Sequence, residues 1–268
     1  MLSERVKSGW LLVERVPEIA EYRILLLPGL QGSDLVFSKL VSSPVLTESK
    51  IHCIAGNPPG FKGQPVPSGF DFSIESFASL YERIADEEKI DLIVGHSFSA
   101  NVLIEVAARG NYKGKIMLIS PSLYREAETK ELLMLDSMSR KPALSGIMWW
   151  LTYQMMSSVF KPYFADKNDL VSAVNAGKKI PRSIGKQTLL GYFNHIDKHK
   201  NLSSRLLKTG IPVYYLRGSK DDIKFTAKDK DEILISPLIK FFEIEGARHF
   251  AMIDKPDELA KIIIEVLK

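Results

Sequence analysis

Short strand-like runs alternate with helical patterns along most of the chain, and this alternation restricts the fold more than any other feature. Continuously apolar runs are typical of parallel strands that helices cover on both faces. The strand-like runs are "RILLLPG" (23–29), "KIHCIAG" (50–56), "DLIVG" (91–95), "KIMLIS" (115–120), "PVYYLRG" (212–218) and "IKFFEIEG" (239–246). Helical patterns cover 73–89, 98–109 and 256–267. The chain is therefore predicted to form an α/β fold with a mostly parallel, doubly wound sheet.

The alternation is interrupted between "SPSLY" (120–124) and "TGIPVYYL" (209–216). This interval is rich in Met, Trp and Tyr at helical spacing and has no convincing strand pattern. We expect residues 121–208 to form a helical lid (cap) inserted between two strands. Residues 1–120 and 209–268 would then form one α/β core, a common arrangement for 268 residues.

The charge balance of the chain restricts its partners. A net charge of +4 is too small to indicate nucleic-acid binding. Residues 121–208 nevertheless carry 14 Lys and Arg against 7 Asp and Glu, a net charge of +7. One interpretation is an anionic partner such as an acyl carrier protein or a carboxylate-bearing ester. The other is an ordinary solvated charged surface.

The sequence also bears on location. The first 18 residues carry charges every few positions, so no signal peptide is expected. No run reaches the roughly 18 uncharged apolar residues that a membrane span needs, and 143–160 is expected to be an amphipathic or buried helix. The single cysteine, Cys53, cannot form an internal disulfide. These features predict a protein of the cytoplasm.

The stretch "GHSFS" (95–99) follows a predicted strand and precedes a predicted helix. A nucleophilic serine held on such a sharp turn needs small residues two positions before and after it. Ser97 has Gly95 and Ser99 at these positions, whereas Ser99 has Ser97 and the larger Asn101. Ser97 is therefore the predicted nucleophile.

A serine nucleophile needs a base, and the chain has five histidines. His52 lies in a strand-like run, and His96 is expected to point away from Ser97. His195 and His199 have the i, i+4 spacing of a metal pair, but no third ligand lies nearby in sequence, which favours a solvated helix face. His249, on a loop between the last strand and the last helix, is the predicted base.

Two further parts of the catalytic apparatus can be located. Asp221 and Asp222 both lie in the turn after the strand that precedes His249, and either carboxylate could orient the imidazole. The glycine-rich turn "PGLQGS" (28–33) follows the first predicted core strand. Backbone N–H groups of Leu30 in this turn and of Phe98 after the nucleophile are the predicted oxyanion donors.

With these residues assembled, the chain resembles the α/β-hydrolase family, in its lidded serine esterase-like branch. "GHSFS" resembles the family's G-H-S-x-G, "PGLQGS" its H-G-x-x-G-S, and "NPPGFKG" its D-x-x-G-x-G. "RGSKDD" is similar to the acid turn G-x-x-D and aligns Asp221, rather than Asp222, with the acid. "GARHF" is similar to the histidine loop. The resemblance covers 1–120 and 209–268 and implies a Ser97–Asp221–His249 triad in the family's chain order.

The chain departs from the family pattern at three positions. Pro28 replaces a histidine beside the oxyanion turn, Ser99 replaces a glycine, and Asn57 stands where an aspartate is common. Asn57 is expected to be structural, and Ser99 either fits the turn or touches substrate. Dehalogenases and epoxide hydrolases of this fold use a carboxylate nucleophile, so Ser97 argues against those activities.

The predicted function is hydrolysis of a small-molecule carboxylic ester or acyl thioester through an acyl-enzyme, with neither cofactor nor metal. Aromatic and Met side chains of the lid, among them Trp149, Tyr153 and Met156, either line an acyl pocket or pack the lid onto the core. The same triad also serves C–C bond hydrolysis and cofactor-free perhydrolysis. An alternative of another class is a ligand receptor or partner-binding module with residual hydrolysis.

Overall fold

The structure is a computed structural model that describes residues 3–7 and 10–268. Within these residues the chain forms one eight-stranded sheet. Its strands are β1 (Ser3–Lys7), β2 (Trp10–Arg15), β3 (Tyr22–Leu27), β4 (Ile51–Gly56), β5 (Leu92–His96), β6 (Lys115–Ile119), β7 (Val213–Gly218) and β8 (Ile239–Ile244). Each of the six predicted strands is present, with bounds within two residues of those expected, so the predicted α/β fold is confirmed.

The strands are ordered β1-β2-β4-β3-β5-β6-β7-β8 across the sheet. All pairings from β4 to β8 are parallel, and β1 and β2 are joined antiparallel at one edge. Every residue of β4 and of β5 is buried, as expected for strands covered on both faces. Because the strands from β3 to β8 run in one direction, the loops that follow them meet at one edge of the sheet.

Twelve α-helices are present in the described part of the chain. They are α1 (Ser38–Val41), α2 (Pro44–Thr47), α3 (Ile74–Glu87), α4 (Phe98–Arg109), α5 (Lys130–Ser139), α6 (Pro142–Phe160), α7 (Lys167–Lys178), α8 (Arg182–His199), α9 (Ser203–Leu206), α10 (Ala227–Ile233), α11 (Ala251–Asp254) and α12 (Pro256–Leu267). Helices α3 and α4 pack with one face of the sheet in one apolar core, and α1, α2, α11 and α12 cover the other face. The doubly wound arrangement follows from these two layers.

Capping residues explain where several of these helices begin and end. The Ser73 hydroxyl accepts a hydrogen bond from the Ser76 N–H at the start of α3. Pro256 occupies the first turn of α12, where a missing N–H costs nothing. Helix α4 is capped at its C-terminal end by Gly110, whose φ of 69° is left-handed.

The antiparallel strands β1 and β2 are not predicted by the sequence patterns above. Their charged residues obscure the apolar signal, but the sheet gives two of these charges partners. Arg15 in β2 is buried and donates hydrogen bonds to the carbonyl oxygens of Leu46 and Ile51. Glu14 lies 3.0 Å from His52 of β4. Charged side chains are tolerated in these strands because neighbouring groups satisfy them.

The segment between β6 and β7 is helical, as expected, and contains α5 to α9 with no strand among its described residues. A single bridge pairs Tyr124 with Asn201 near its two ends. The boundaries 121–208 stay a prediction, since α8 and α9 also pack against α3 and α4. No helix in the described residues has the length and hydropathy needed to cross a membrane.

Candidate active site

Ser97 occupies the sharp turn that joins β5 to α4. Its φ of 51° and ψ of −116° are strained for a residue with a side chain. A Cβ at Gly95 would lie 2.8 Å from the backbone of Ser99 and 2.7 Å from Leu103. Position 95 therefore accepts only glycine. This explains why a small residue is required two positions before Ser97. The Ser97 N–H donates to the Ile119 carbonyl of β6 at 2.8 Å, which ties the turn to the neighbouring strand.

His249 and Asp221 lie on the loops that follow β8 and β7. His249 Nδ1 is 3.0 Å from Asp221 Oδ1, and the Asp221 side chain is only 1% exposed. The same carboxylate oxygen accepts the Ile223 N–H at 3.2 Å. The carbonyl of His249 accepts hydrogen bonds from His96 Nε2 at 3.1 Å and from the Ser120 hydroxyl at 3.5 Å. Hydrogen bonds thus orient both the imidazole ring and the backbone carbonyl of His249.

His249 lowers the pKa of Asp221, and Asp221 raises the pKa of His249. Burial alone would raise the pKa of Asp221, but the charge and hydrogen bond of His249 lower it to about 2. Burial alone would lower the pKa of His249, but Asp221, with smaller contributions from Asp222 and Glu128, outweighs it, so the pKa lies above its ordinary value of 6.5. Asp221 is an anion at neutral pH, and it favours the imidazolium that forms when His249 takes a proton.

Asp222 has a different environment. It is exposed and hydrogen-bonded to the hydroxyl of Tyr163, whose pKa is raised by burial and then by Asp222. Its carboxylate lies at the rim of the cavity described below. Of the two aspartates left open by the residue pattern, Asp221 is the one whose carboxylate meets His249.

The glycine-rich turn after β3 lies against the Ser97 turn. A Cβ at Gly29 would lie 3.0 Å from His96 Nδ1 and 3.1 Å from Ser97 Cβ, so the glycine permits this close approach. Leu30 follows directly and lines the same cavity as Ser97. Phe98 is the first residue of α4, where a backbone N–H has no acceptor within the helix. The predicted oxyanion donors therefore belong to two segments that adjoin Ser97.

Ser99, in the first turn of α4, connects this helix to the glycine-rich turn after β3. It is fully buried and does not line the cavity. Its hydroxyl donates to the Pro28 carbonyl at 2.6 Å, so the Tyr81 hydroxyl, 3.1 Å away, must donate to Ser99. Ser99, at the position where the resembling family has glycine, thus supports the glycine-rich turn through Pro28.

We expect Ser99→Ala to lower the free energy of unfolding by about 1–3 kcal/mol, because the Pro28 carbonyl and the Tyr81 hydroxyl both lose a buried partner. Urea unfolding measures this change. Tyr81→Phe is the matched control and should cost less, since it leaves no buried donor unpaired. Unchanged stability together with an altered substrate preference would show that Ser99 meets substrate instead.

Asn57, the third departure from the family pattern, has a structural role, as expected. Its side-chain oxygen accepts the Asp34 N–H, and its amide donates to Asp34 Oδ1, both at 2.9 Å. Lys62 also contacts both Asp34 oxygens at 2.9 Å. An aspartate at position 57 would place a second carboxylate against Asp34, whereas an amide can both accept and donate.

A cavity of about 600 Å³ lies over Ser97 and His249, and most of its lining is apolar. The lining comes from the turn at 29–33, from the histidine loop at 249–250 and from helices α5, α6 and α7. This volume and apolar character are typical of sites for small organic ligands.

The three lid residues singled out from the sequence differ in position. Trp149 and Met156 line the cavity but are 3% and 2% exposed, so they pack the helices together as well. The Trp149 indole N–H also donates to the Ser139 hydroxyl at 2.7 Å. Tyr153 does not line the cavity. Its hydroxyl donates to the Ile180 carbonyl at 2.6 Å, a contact between α6 and the turn that joins α7 to α8.

Two polar residues of the cavity were not predicted from the sequence. Gln31 has a φ of 57° in the glycine-rich turn, and its side-chain amide nitrogen is buried without a hydrogen-bond partner. Glu128 accepts hydrogen bonds from the hydroxyls of Ser122 and Tyr192. Gln31 occupies a variable position of the turn "PGLQGS", and Glu128 belongs to none of the motifs identified above. The only sequence signal is their position, directly after a predicted strand or at the start of the inserted segment.

Among the other histidines, His96 contacts the backbone of His249, and His195 and His199 lie on α8. Burial lowers the pKa of His96 to about 3, so its neutral ring donates to the His249 carbonyl. The interpretation of His195 as part of a solvated helix face is wrong, because its side chain is 1% exposed. Helix α8 packs against α3, and this contact buries the face that carries His195. Burial lowers the pKa of His195 to about 4 and also lowers that of His199.

Two groups of side chains in the described residues have the types and proximity of metal ligands. Asp221, Asp222 and His249 form one group, but there His249 Nδ1 already binds Asp221. The other group, Glu75 with His195 and His199, shares no residue with the cavity at Ser97.

Comparisons with known proteins agree with this architecture. A candidate lipase from Acinetobacter baumannii AYE has a TM-score of 0.74 and 18% identity, with 99% of this chain and 91% of that chain covered. A structure of carboxylesterases from the thaumarchaeon Nitrososphaera gargenis has a TM-score of 0.71 and 16% identity, with 99% and 97% covered. The haloalkane dehalogenase DbeA from Bradyrhizobium elkani USDA94 has a TM-score of 0.75 and 13% identity, with 100% and 97% covered.

At these identities the solved structures establish the fold, and the different reactions in their names leave the reaction of this chain to its own residues. No curated protein matches the sequence. The model of the alpha/beta hydrolase family matches residues 24–262, which include every strand from β4 to β8 and all three of Ser97, Asp221 and His249. This chain therefore belongs to the alpha/beta hydrolase family.

Proposed function

We propose that this protein is a serine hydrolase that cleaves a carboxylic ester or acyl thioester through an acyl-enzyme. The observation that carries the proposal is the oriented His249–Asp221 pair, with 3.0 Å between Nδ1 and Oδ1, at the same apolar cavity as a serine on a strained strand-to-helix turn. Fixing Nδ1 as the donor to Asp221 leaves Nε2 with a lone pair that can accept a proton.

The reaction has two halves. His249 Nε2 takes the Ser97 proton as Oγ attacks the substrate carbonyl, and the backbone N–H groups of Leu30 and Phe98 stabilise the oxyanion. The imidazolium then gives its proton to the departing alcohol or thiol, which leaves an ester on Ser97. Water, deprotonated by His249, attacks this ester and releases the acid and the free serine.

The cavity supports an acyl group as the part of the substrate that is recognised. Helices α5, α6 and α7 supply most of its apolar wall, and we propose that the segment 121–208 acts as a lid that sets chain-length preference. An apolar chain would be desolvated there, while the carbonyl lies at the Ser97 end beside the turn at 29–33.

The positive charge of this segment supports an acidic partner only in part. Arg125 and Arg140 bind the carboxylates of Asp136 and Asp197 within the segment itself. Exposed lysines remain at Lys161, Lys167, Lys178 and Lys179. An acyl thioester on an acidic carrier protein therefore belongs in the substrate panel. A cytoplasmic location is also part of the proposal and is supported by the buried, single Cys53.

The proposal is tested with p-nitrophenyl esters of graded chain length. We expect kcat/KM to rise by about fourfold for each CH₂ that enters the cavity, from the roughly 0.8 kcal/mol of burying one, until the cavity is filled. Ala173→Phe, inside the cavity on α7, should move the optimum to shorter chains. Ala143→Phe, exposed on α6, is the matched control and should leave it unchanged.

Two additional substrates distinguish ester hydrolysis from other reactions that the same triad catalyses. A vinylogous diketone tests C–C bond hydrolysis, and a carrier-bound acyl thioester tests the acidic partner. A profile that is flat across ester lengths, with turnover near background, would contradict the proposed function and favour a ligand-binding role.

A further inference from the structure

A cluster of potential metal ligands lies outside the cavity, where α8 packs against α3. His195 and His199 are one turn apart on α8, and Glu75 lies in the first turn of α3. One ligand atom from each of the three side chains lies within 4.8 Å of the others. His195 Nδ1 is 3.5 Å from Glu75 Oε1. The i, i+4 histidine pair thus has a potential third ligand on a helix that is distant in sequence.

The second observation is the state of His195 itself. Its side chain is 1% exposed, yet neither ring nitrogen makes a hydrogen bond. The nearest carboxylate oxygens, Glu75 Oε1 and Glu105 Oε2, lie 3.5 and 3.8 Å from Nδ1 and Nε2. A buried imidazole whose two nitrogens make no hydrogen bond is costly for packing alone, and a cation bound at one of them would satisfy that nitrogen.

We propose that Glu75, His195 through Nδ1, and His199 bind a divalent transition metal ion, with Zn²⁺ as the ion that best fits the donor set. Two neutral imidazoles and one carboxylate are common zinc ligands, and water would complete a tetrahedral shell. The site lies outside the apparatus of the proposed function, and the proposal does not depend on that function.

Glu105 completes the site as the partner of the metal-bound histidine. Its carboxylate faces His195 Nε2 and can accept that N–H when Nδ1 binds the metal, the arrangement that orients most histidine ligands. Arg205 at 2.5 Å and Arg109 at 3.1 Å hold the Glu105 carboxylate in place. Metal binding at Nδ1 therefore also accounts for the carboxylate that faces His195 Nε2.

Access to the site is available from one side. A cavity of about 290 Å³ is lined by Glu75 and His195, and also by Lys198. The Lys198 ammonium lies 2.7 Å from Glu75 Oε1 and so competes with a metal for that oxygen. Its side chain is 62% exposed and can move into solvent. Lys198 is therefore expected to weaken metal binding.

The test uses tag-free, full-length protein freed of metal with a chelator and titrated with ZnCl₂ by calorimetry. We expect one Zn²⁺ per chain, and binding weakened at least about tenfold by His199→Ala and by Glu75→Gln. Lys198→Met should bind more tightly than wild type. The melting temperature of the wild type should rise with Zn²⁺ concentration, because the ion joins α3 to α8.

Two controls make the result decisive. Co²⁺ replaces Zn²⁺ as a spectroscopic probe, and its visible absorption should report nitrogen ligation in the wild type and lose intensity in His199→Ala. His249→Ala should bind Zn²⁺ as the wild type does. Binding that is lost in His249→Ala, binding that is unchanged in both His199→Ala and Glu75→Gln, or wild-type protein without saturable uptake would each overturn the proposal.

Discussion

Replacing Ser97 by alanine is expected to reduce kcat on ester substrates by about 10⁴-fold or more, because the hydroxyl that is proposed to form the acyl-enzyme is removed. The free energy of unfolding should change little, since Ser97 makes no side-chain hydrogen bond at its helix N-terminus. Steady-state kinetics measure the loss. The mass of the protein during turnover should show an acyl adduct in the wild type and none in Ser97→Ala.

Ser204→Ala provides the matched serine-to-alanine control. Ser204 is exposed on α9 and does not line the cavity, so its replacement should leave kcat within about twofold. Full activity of Ser97→Ala, or an acyl adduct on another residue, would show that the proposed nucleophile is wrong.

Asp221→Asn is expected to lower kcat/KM by roughly 10³–10⁴-fold, because an amide can hold His249 in the wrong tautomer and cannot stabilise the imidazolium. Asp222→Asn is the matched control and should change kcat/KM by less than about threefold, since Asp222 is exposed and bonded to Tyr163. Equal losses in the two variants would contradict the assignment of the acid.

The pH profile of the same variants tests the electrostatics. His249 must be neutral to accept the Ser97 proton, and its pKa is raised above 6.5 because Asp221 outweighs burial. Activity of the wild type should therefore fall as the pH drops through a midpoint above 6.5. In Asp221→Asn the main raising effect on the His249 pKa is lost and burial still lowers it, so the acid limb of the residual activity should move to lower pH.

The parts of the site that could be predicted are those that leave a pattern within a few consecutive residues. The turn at Ser97 is recognisable because Gly95 has no room for a side chain, so the constraint appears within five residues. His249 follows the last strand and Asp221 the strand before it, and parallel strands bring both loops to one edge.

The remainder depends on contacts between distant segments, which local patterns do not encode. The support that Ser99 gives to Pro28 joins residues 71 positions apart. The burial of His195 follows from packing of α8 on α3. A helix face that the sequence pattern predicts to be solvated therefore lies in an interface between helices. The strands β1 and β2 escaped prediction because Arg15 finds acceptors, 31 and 36 positions away, that only the folded sheet supplies.

The hydrogen bonds that orient His249 have a consequence for protein engineering. His96 and Ser120 hold the His249 carbonyl, Ile119 holds the Ser97 turn, and all three belong to the sheet or to the residue directly after it. The proposed nucleophile and base are thus held from the sheet, and the inserted segment reaches the histidine loop through Arg248, which donates to the Pro162 carbonyl between α6 and α7. Helices α5, α6 and α7 could be exchanged for the corresponding helices of another hydrolase if this contact is kept, and the chimera would then have a new pocket over the same turn and histidine loop.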